Sequence, residues 1–296
     1  MSITFDVYRG SKEGKIVADK TTRPLRPTDV YIETTHSGLC GTDEHFLHSG
    51  QVLGHEGVGV VRQVGEAVTH VQAGDRVGFG YTHEVCGICD HCISGTFVRH
   101  PLFPDGRGVV WNAGNVFKIP DGYDSANAAP LMCAGATVWT CLTEYGVRPT
   151  DRVGIMGIGG LGHLAIKLAA AMGCHVVVLS SSERKREEAM QFGASEYHVF
   201  SAGQDMKDFK PLKHLLLCVD FKPSAVPLLF MNVKGIRIQG SLVASRKSLK
   251  SLLQFAADKK IEPTIMKFPL NEAGIEDAMQ TLRDGKMRYR GVLVRE

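Results

Sequence analysis

Gly157-Ile158-Gly159-Gly160-Leu161-Gly162 directly follows a run that reads as a strand, Arg152 to Ile158, and opens one that reads as a helix, Leu161 to Met172. A second strand, His175 to Ser180, and a second helix, Glu183 to Phe192, come next. Alternation of strand and helix requires a parallel, doubly wound sheet. In that setting the glycines of G-x-G-x-x-G have mechanical tasks. The first permits a tight turn, the second lets backbone approach a pyrophosphate, and the third lets the helix pack on the strand. The helix N-terminus then offers unpaired N–H groups to the anion. A glycine-rich turn in an unrelated α/β fold is the alternative. Further strands are expected at Tyr197 to Phe200, His214 to Val219 and Ile236 to Gly240, then a helix around Ser248 to Ala257 and a closing strand at Arg290 to Val294.

The end of the second strand decides which dinucleotide suits the loop. NAD calls for an acid facing the ribose 2′-hydroxyl, whereas NADP calls for cations and hydroxyls around the 2′-phosphate. Here Ser180, Ser181 and Ser182 are followed by Glu183, Arg184, Lys185 and Arg186. Three hydroxyls and three cations favour NADP, with Glu183 the one charge of opposite sign. A serine cap followed by a solvated basic turn is the bland reading of the same residues.

Upstream the texture differs. Residues 1 to about 133 carry short alternating runs such as Val58 to Val64 and Asp75 to Phe79, separated by turn residues, which indicates an irregular antiparallel β domain. At 296 residues the chain has room for two domains. Lys and Arg outnumber Asp and Glu only by 34 to 31, so capture of nucleic acid or a charged membrane surface is not expected. The first residues lack the basic head and apolar core of a secretory leader, and the longest apolar run, Leu164 to Leu179, is broken by Lys167, Gly173 and His175. A cytoplasmic protein without a membrane segment is the expectation.

In a reducing compartment the 8 cysteines stay as thiols, and clustered thiols read as metal ligands. Cys86, Cys89 and Cys92 form two overlapping C-x-x-C units, with His100 eight residues later. Three thiolates and one imidazole can close a tetrahedral structural zinc site. The competing reading is a degenerate lobe that His100 does not complete. A dispersed set, Cys40, His55 and Cys133, offers two thiolates and an imidazole with a fourth position open, which a catalytic zinc needs to polarise an alcohol or carbonyl oxygen. Singly, Cys133 reads as a small buried apolar residue and His55 as a core histidine; the joint pattern favours metal.

These motifs occur together in an order that resembles the zinc-containing medium-chain alcohol dehydrogenases, specifically their cinnamyl-alcohol-dehydrogenase-like, NADP-dependent branch. The matching segments are His36-Ser-Gly-Leu-Cys40-Gly-Thr-Asp43, Leu53-Gly-His55-Glu56-Gly-Val-Gly59, Ala73-Gly-Asp-Arg-Val77, Pro130-Leu-Met-Cys133-Ala-Gly-Ala-Thr137, the Gly157 loop through His163, Lys185-Arg-Glu-Glu-Ala189 and Gly285-Lys-Met-Arg-Tyr-Arg290. The resemblance implies a GroES-like zinc catalytic domain from residues 1–133 and 245–296, and a Rossmann-type NADP-binding domain from 134–244. It implies Cys40, His55 and Cys133 as zinc ligands, with Glu56 as an alternate ligand and Asp43 orienting the imidazole. Thr42 and His45 become a proton relay. Thr42, Thr137, Ser241, Leu242 and Val243 join the Gly157–Gly162 loop, Ser180, Ser181, Ser182 and Lys185 as cofactor contacts. The implied activity passes a hydride between NADP(H) and a primary alcohol or aldehyde, in a homodimer joined through the strand at Ile236 to Gly240.

This chain departs from that pattern in three places. His100 stands where the family has a fourth cysteine. A piece of the β domain is missing between His100 and Phe117. One helix–strand unit of the cofactor domain is missing between Phe221 and Arg237. Such a loss strips a sheet of hydrogen-bonding partners and an apolar cover, and predicts weaker NADP binding and a lower melting temperature. It also motivates a second reading, a truncated, catalytically impaired paralogue that serves as a zinc-binding scaffold.

Overall fold

In the computed structural model residues 1–90, 92, 109–199, 209–219 and 235–295 are described. They divide into two units, Met1–Trp139 with Val243–Glu296, and Thr140–Leu242.

The first unit begins with an antiparallel ribbon of β1 (Ser2–Gly10) and β2 (Ile16–Pro24). Its main sheet is organised around β3 (Asp29–Leu39), whose β-branched Val30 and Ile32 are fully buried. The helix α1 (Gly41–Phe46) follows at once. Next come β4 (Gly57–Val64), β5 (Arg76–Phe79), β6 (Val110–Asn112) and β7 (Val116–Lys118). The alternation at 58–64 and 75–79 therefore marks real strands. β4 runs antiparallel to β3 with irregular register at Tyr31/Ile32 and Thr34/His36, which re-aims side chains along the strand. Despite the short connection after His100, β6 pairs with β3 and β7 with β5. Val61, Val77, Phe79 and Trp111 close the core over Val30 and Ile32.

A helix α2 (Ala134–Thr143) precedes the second unit's sheet. There β8 (Arg152–Met156), α3 (Gly162–Ala171), β9 (His175–Ser180), α4 (Arg186–Gln191), β10 (Glu196–Val199) and β11 (His214–Leu217) alternate as expected. All four strands are parallel, in the order β10-β9-β8-β11. Val176, Val177, Val178 and Leu179 are consecutively buried, as in a strand covered on both faces. Among the described residues the sheet ends at β11. The strand expected at Ile236 to Gly240 is a correction: these residues form no strand, and Ile236 and Ile238 are exposed. With too few apolar side chains buried there, the segment has no sheet face to join.

The chain then returns to the first unit through α5 (Arg246–Asp258), β12 (Ile265–Pro269), α6 (Glu272–Arg283) and β13 (Arg290–Val294). Ser245 caps α5 by accepting from Ser248 N, and Leu249, Leu252, Leu253 and Ala256 form its buried stripe. β13 inserts between β12 and β3, antiparallel to β3. Among the described residues no helix is long and apolar enough to cross a membrane.

Candidate active site

Cys40 lies between the end of β3 and the start of α1, a junction held by Asp43, whose Oδ2 accepts the Cys40 backbone N–H at 2.9 Å. The other Asp43 oxygen reaches across to the next loop, accepting from Gly54 N at 3.3 Å and meeting His55 Nδ1 at 3.2 Å. One buried carboxylate thus sets the backbone of one candidate ligand and the ring of another. Glu56 follows and is completely buried, with its partner Arg290 delivered by the first residue of β13. Cys133 arrives from the residue before α2. The ligand atoms of Cys40, His55, Glu56 and Cys133 all lie within 4.8 Å of one another.

The hydrogen bonding of this cluster leaves two donor atoms unclaimed. With Nδ1 committed to Asp43, His55 Nε2 is buried without a partner, as is Glu56 Oε2. The two thiols compete for one ionisation. The hydrogen bond from Cys133 favours the Cys40 thiolate, and the same contact, with burial, pushes the Cys133 thiol well above its ordinary value. Burial raises the Glu56 carboxyl to about 7 against the pull of Arg290. Burial disfavours imidazolium at His55, yet the Asp43 carboxylate beside it prevails and raises its pKa well above the ordinary value. Two thiols, an orphaned imidazole nitrogen and an orphaned carboxylate oxygen make a set that fits zinc by donor chemistry.

A cavity of about 290 Å³ adjoins the cluster, lined by Asp43, Phe46, Val52, Leu53, Gly54, His55 and Tyr81 among others. Tyr81 stands edge-on to the His55 ring, centroids 5.8 Å apart. Thr42 Oγ1 lies 3.6 Å from Cys40 Sγ, accepting from the thiol, and His45 sits on the solvent side of α1. Sequence reasoning gave no role to Tyr81, Phe46 or Arg290. Arg290 was visible only as the end of a matching segment, since nothing in a lone arginine says that it faces a buried glutamate.

Cys86, Cys89 and Cys92 form the second cluster, with Cys92 Sγ 3.7 Å from Cys86 Sγ and 3.5 Å from Cys89 Sγ. His100 lies outside the described residues.

In the second unit, a cavity of about 440 Å³ is lined by Gly157, Ile158, Gly159, Ser180, Ser181, Ser182, Arg184 and Lys185, with Cys218 and Val219. Gly157 has φ +91, and a Cβ on Gly162 would stand 1.8 Å from Gly157 O, so both positions exclude side chains. A Cβ on Gly159 would meet nothing within 4 Å. Its bareness serves no internal packing and leaves room for a ligand's phosphate against the backbone, so the loop fits a dinucleotide. Glu183 is taken by Arg186, through Oε1 at 2.8 Å and a second short contact. Lys185, expected to face the cofactor, donates Nζ to Ile158 O at 2.5 Å in the same wall, while Arg184 lines the cavity. Thr137 Oγ1 accepts from Val243 N at 3.1 Å within the first unit, and Ser241 and Leu242 belong to the second.

Comparison with known proteins agrees with this layout. The alcohol dehydrogenase GroES-like domain model matches residues 26–123, and the zinc-binding dehydrogenase model residues 160–214. Cinnamyl alcohol dehydrogenase 1 of Ocimum basilicum is 34% identical over 323 aligned positions, covering 92% of this chain and 90% of that protein. An alcohol dehydrogenase of Geobacillus stearothermophilus is 32% identical, covering 90% and 91%. The first alignment is longer than the 296-residue chain, so it opens gaps in this chain, in keeping with internal shortening. Among solved structures, cinnamyl alcohol dehydrogenase 4 of Sorghum bicolor superposes with a TM-score of 0.89 at 27% identity, covering 99% and 98%. The Helicobacter pylori enzyme solved with NADP(H) gives 0.87 at 23%, covering 99% of each chain. On these matches, the chain belongs to the zinc-containing medium-chain alcohol dehydrogenases and is similar to their cinnamyl alcohol dehydrogenase branch.

Proposed function

We propose that this protein is an NADP(H)-dependent zinc alcohol dehydrogenase and aldehyde reductase acting on primary alcohols and aldehydes. The observation that carries the reading is the gathering of Cys40, His55, Glu56 and Cys133 donor atoms beside a cavity of about 290 Å³. Bound zinc supplies a Lewis acid for the substrate oxygen, and bound NADP(H) supplies or accepts the hydride.

The chain's own residues do the rest. Asp43 engages His55 Nδ1 and leaves Nε2 available, and Arg290 holds one oxygen of Glu56 while the other is left without a partner. Phe46, Val52, Leu53 and Tyr81 give the cavity an apolar wall that orients the carbon skeleton and excludes water. Thr42 Oγ takes the hydroxyl proton of the alcohol and His45, exposed on the same helix, passes it to solvent. The Gly157–Gly162 turn takes the pyrophosphate, and Ser180, Ser181, Ser182 and Lys185, aided by Arg184, take the ribose phosphate. Three facts support NADP over NAD: three hydroxyls, a cation in the cavity wall, and a Glu183 already paired. Thr137, Ser241, Leu242 and Val243 complete the cofactor contacts.

A second zinc at Cys86, Cys89 and Cys92, closed by His100, belongs to the same reading, as do a homodimer and a cytoplasmic setting. The dimer contact must be other than the strand expected at Ile236 to Gly240, which does not form. Aldehyde-dependent NADPH oxidation by a zinc-replete, folded preparation, with metal content measured on the same sample, tests the proposal. Absence of turnover across an aliphatic and aromatic aldehyde panel rejects it in favour of the scaffold reading, which no structural observation favours.

A further inference from the structure

A smaller cavity of about 20 Å³ lies elsewhere in the first unit, with Tyr81, Asn115, Phe117, Arg246 and Leu249 in its wall. Asn115 is only 2% exposed, and its Nδ2 has no hydrogen-bond partner. A buried amide donor left unpaired points to an occupant. Arg246 contributes a guanidinium to the same wall, its Nη1 3.4 Å from where a Cβ on neighbouring Gly114 would stand. Arg246 is also the first residue of the 13-residue α5, Lys247 the second, and the first turn carries no acid. Cations at the positive end of a helix dipole are unfavourable unless negative charge is close. None of the cavity's lining residues is acidic.

The geometry points to an anion: we propose that this cavity binds one halide-sized anion, chloride in the cell, held by Asn115 Nδ2–H, the Arg246 guanidinium and the N-terminal end of α5. The space, about 20 Å³, exceeds the roughly 10–15 Å³ that a single water needs and leaves no room for a polyatomic oxyanion. Water would satisfy Asn115 as well, and the guanidinium in the wall, with no acid among the lining residues, is what favours an anion. Because Tyr81 lines both this cavity and the larger one, the bound anion also braces the ring that stands against His55.

Crystals of the full chain soaked in sodium bromide, and melting curves in chloride against gluconate at constant ionic strength, test the proposal. Bromide should give an anomalous peak within hydrogen-bond reach of Asn115 Nδ2. Chloride should raise the melting temperature saturably by roughly 2–4 °C in the parent protein, a rise lost in Asn115→Leu and in Arg246→Gln. Arg246 is exposed, so its variant folds even if the Asn115 change does not. No bromide peak at the site, or an equal chloride response in parent and Arg246→Gln, overturns it.

Discussion

Asp43 and His55 are 3.2 Å apart, Oδ1 to Nδ1, and the second Asp43 oxygen holds the Cys40 backbone N–H at 2.9 Å. A single carboxylate therefore sets two candidate metal donors from separate loops. Asp43→Asn keeps the size but presents an amide that cannot accept from both partners. The expected result is a loss of about 10–100-fold in zinc affinity, the usual cost of removing a group that orients a ligand. Competition with a chromophoric chelator measures it. Unchanged affinity would reduce Asp43 to a helix cap.

The buried pair of Glu56 and Arg290 makes a second prediction. Both side chains are nearly inaccessible, and removing the guanidinium takes away the main positive charge beside a fully buried carboxyl. Arg290→Leu is expected to destabilise the first unit by about 3–5 kcal/mol. Glu56→Gln with Arg290→Leu should recover much of that loss, because no uncompensated charge remains. Urea unfolding of the single and double variants decides between charge imbalance and lost packing.

Arg184 lines the cavity beside the Gly157 loop, and Lys185 donates to Ile158 O. A charge-assisted contact to a ribose phosphate contributes about 1.5–3 kcal/mol, so Arg184→Ala should weaken NADPH binding roughly 10–100-fold and leave NADH binding nearly unchanged. Nicotinamide fluorescence titration gives both constants. Equal losses for the two cofactors would show that Arg184 does not read the phosphate.

How much of this was legible beforehand depended on range. Local patterns carried the strands and helices around Gly157, because β8, α3 and β9 are set by neighbours in sequence: consecutive valines buried on both faces, and glycines that only one turn geometry accepts. Joint spacing singled out Cys40, His55 and Cys133, whose donor atoms the fold gathers with that of Glu56. Arg290 and Tyr81 were beyond such reading, since each acquires its role from a partner far along the chain or in the next loop, Glu56 or His55, by tertiary packing alone. Ile236 to Gly240 misled for the converse reason. Alternating isoleucines supply strand propensity, but a strand needs a sheet edge and cover, and both isoleucines are exposed.

Two glycines of the phosphate loop should separate folding from binding. Gly162 sits where a Cβ would strike Gly157 O at 1.8 Å, so Gly162→Ala is expected to cost about 1–3 kcal/mol of stability in the second unit by overpacking. Gly159 faces open space, so Gly159→Ala should leave the melting temperature nearly unaltered while the added methyl keeps the pyrophosphate off the backbone. Paired thermal melts and NADPH titrations on the two variants check this. Loss of stability in the Gly159 variant would mean that the loop's bareness serves packing and not the cofactor.

Glu196 gathers three nitrogen partners near the start of the parallel strands: the Arg152 guanidinium first, then the ring nitrogens of His198 at 2.9 Å and His175 at 2.7 Å. Their hydrogen bonds hold the Glu196 carboxyl far below its ordinary 4.5. The sign follows from proton binding, because in acid the unfolded chain takes up a proton on Glu196 that the folded unit refuses. The stabilisation is therefore present above about pH 4.5 and lost as pH falls below it. Melting temperatures of the parent protein should decline steeply from pH 5 to pH 3. Glu196→Gln should start lower at neutral pH and decline less over that interval, with the two curves converging in acid. Parallel curves for parent and variant would assign the acid loss to other carboxylates, such as Asp151 with Lys213.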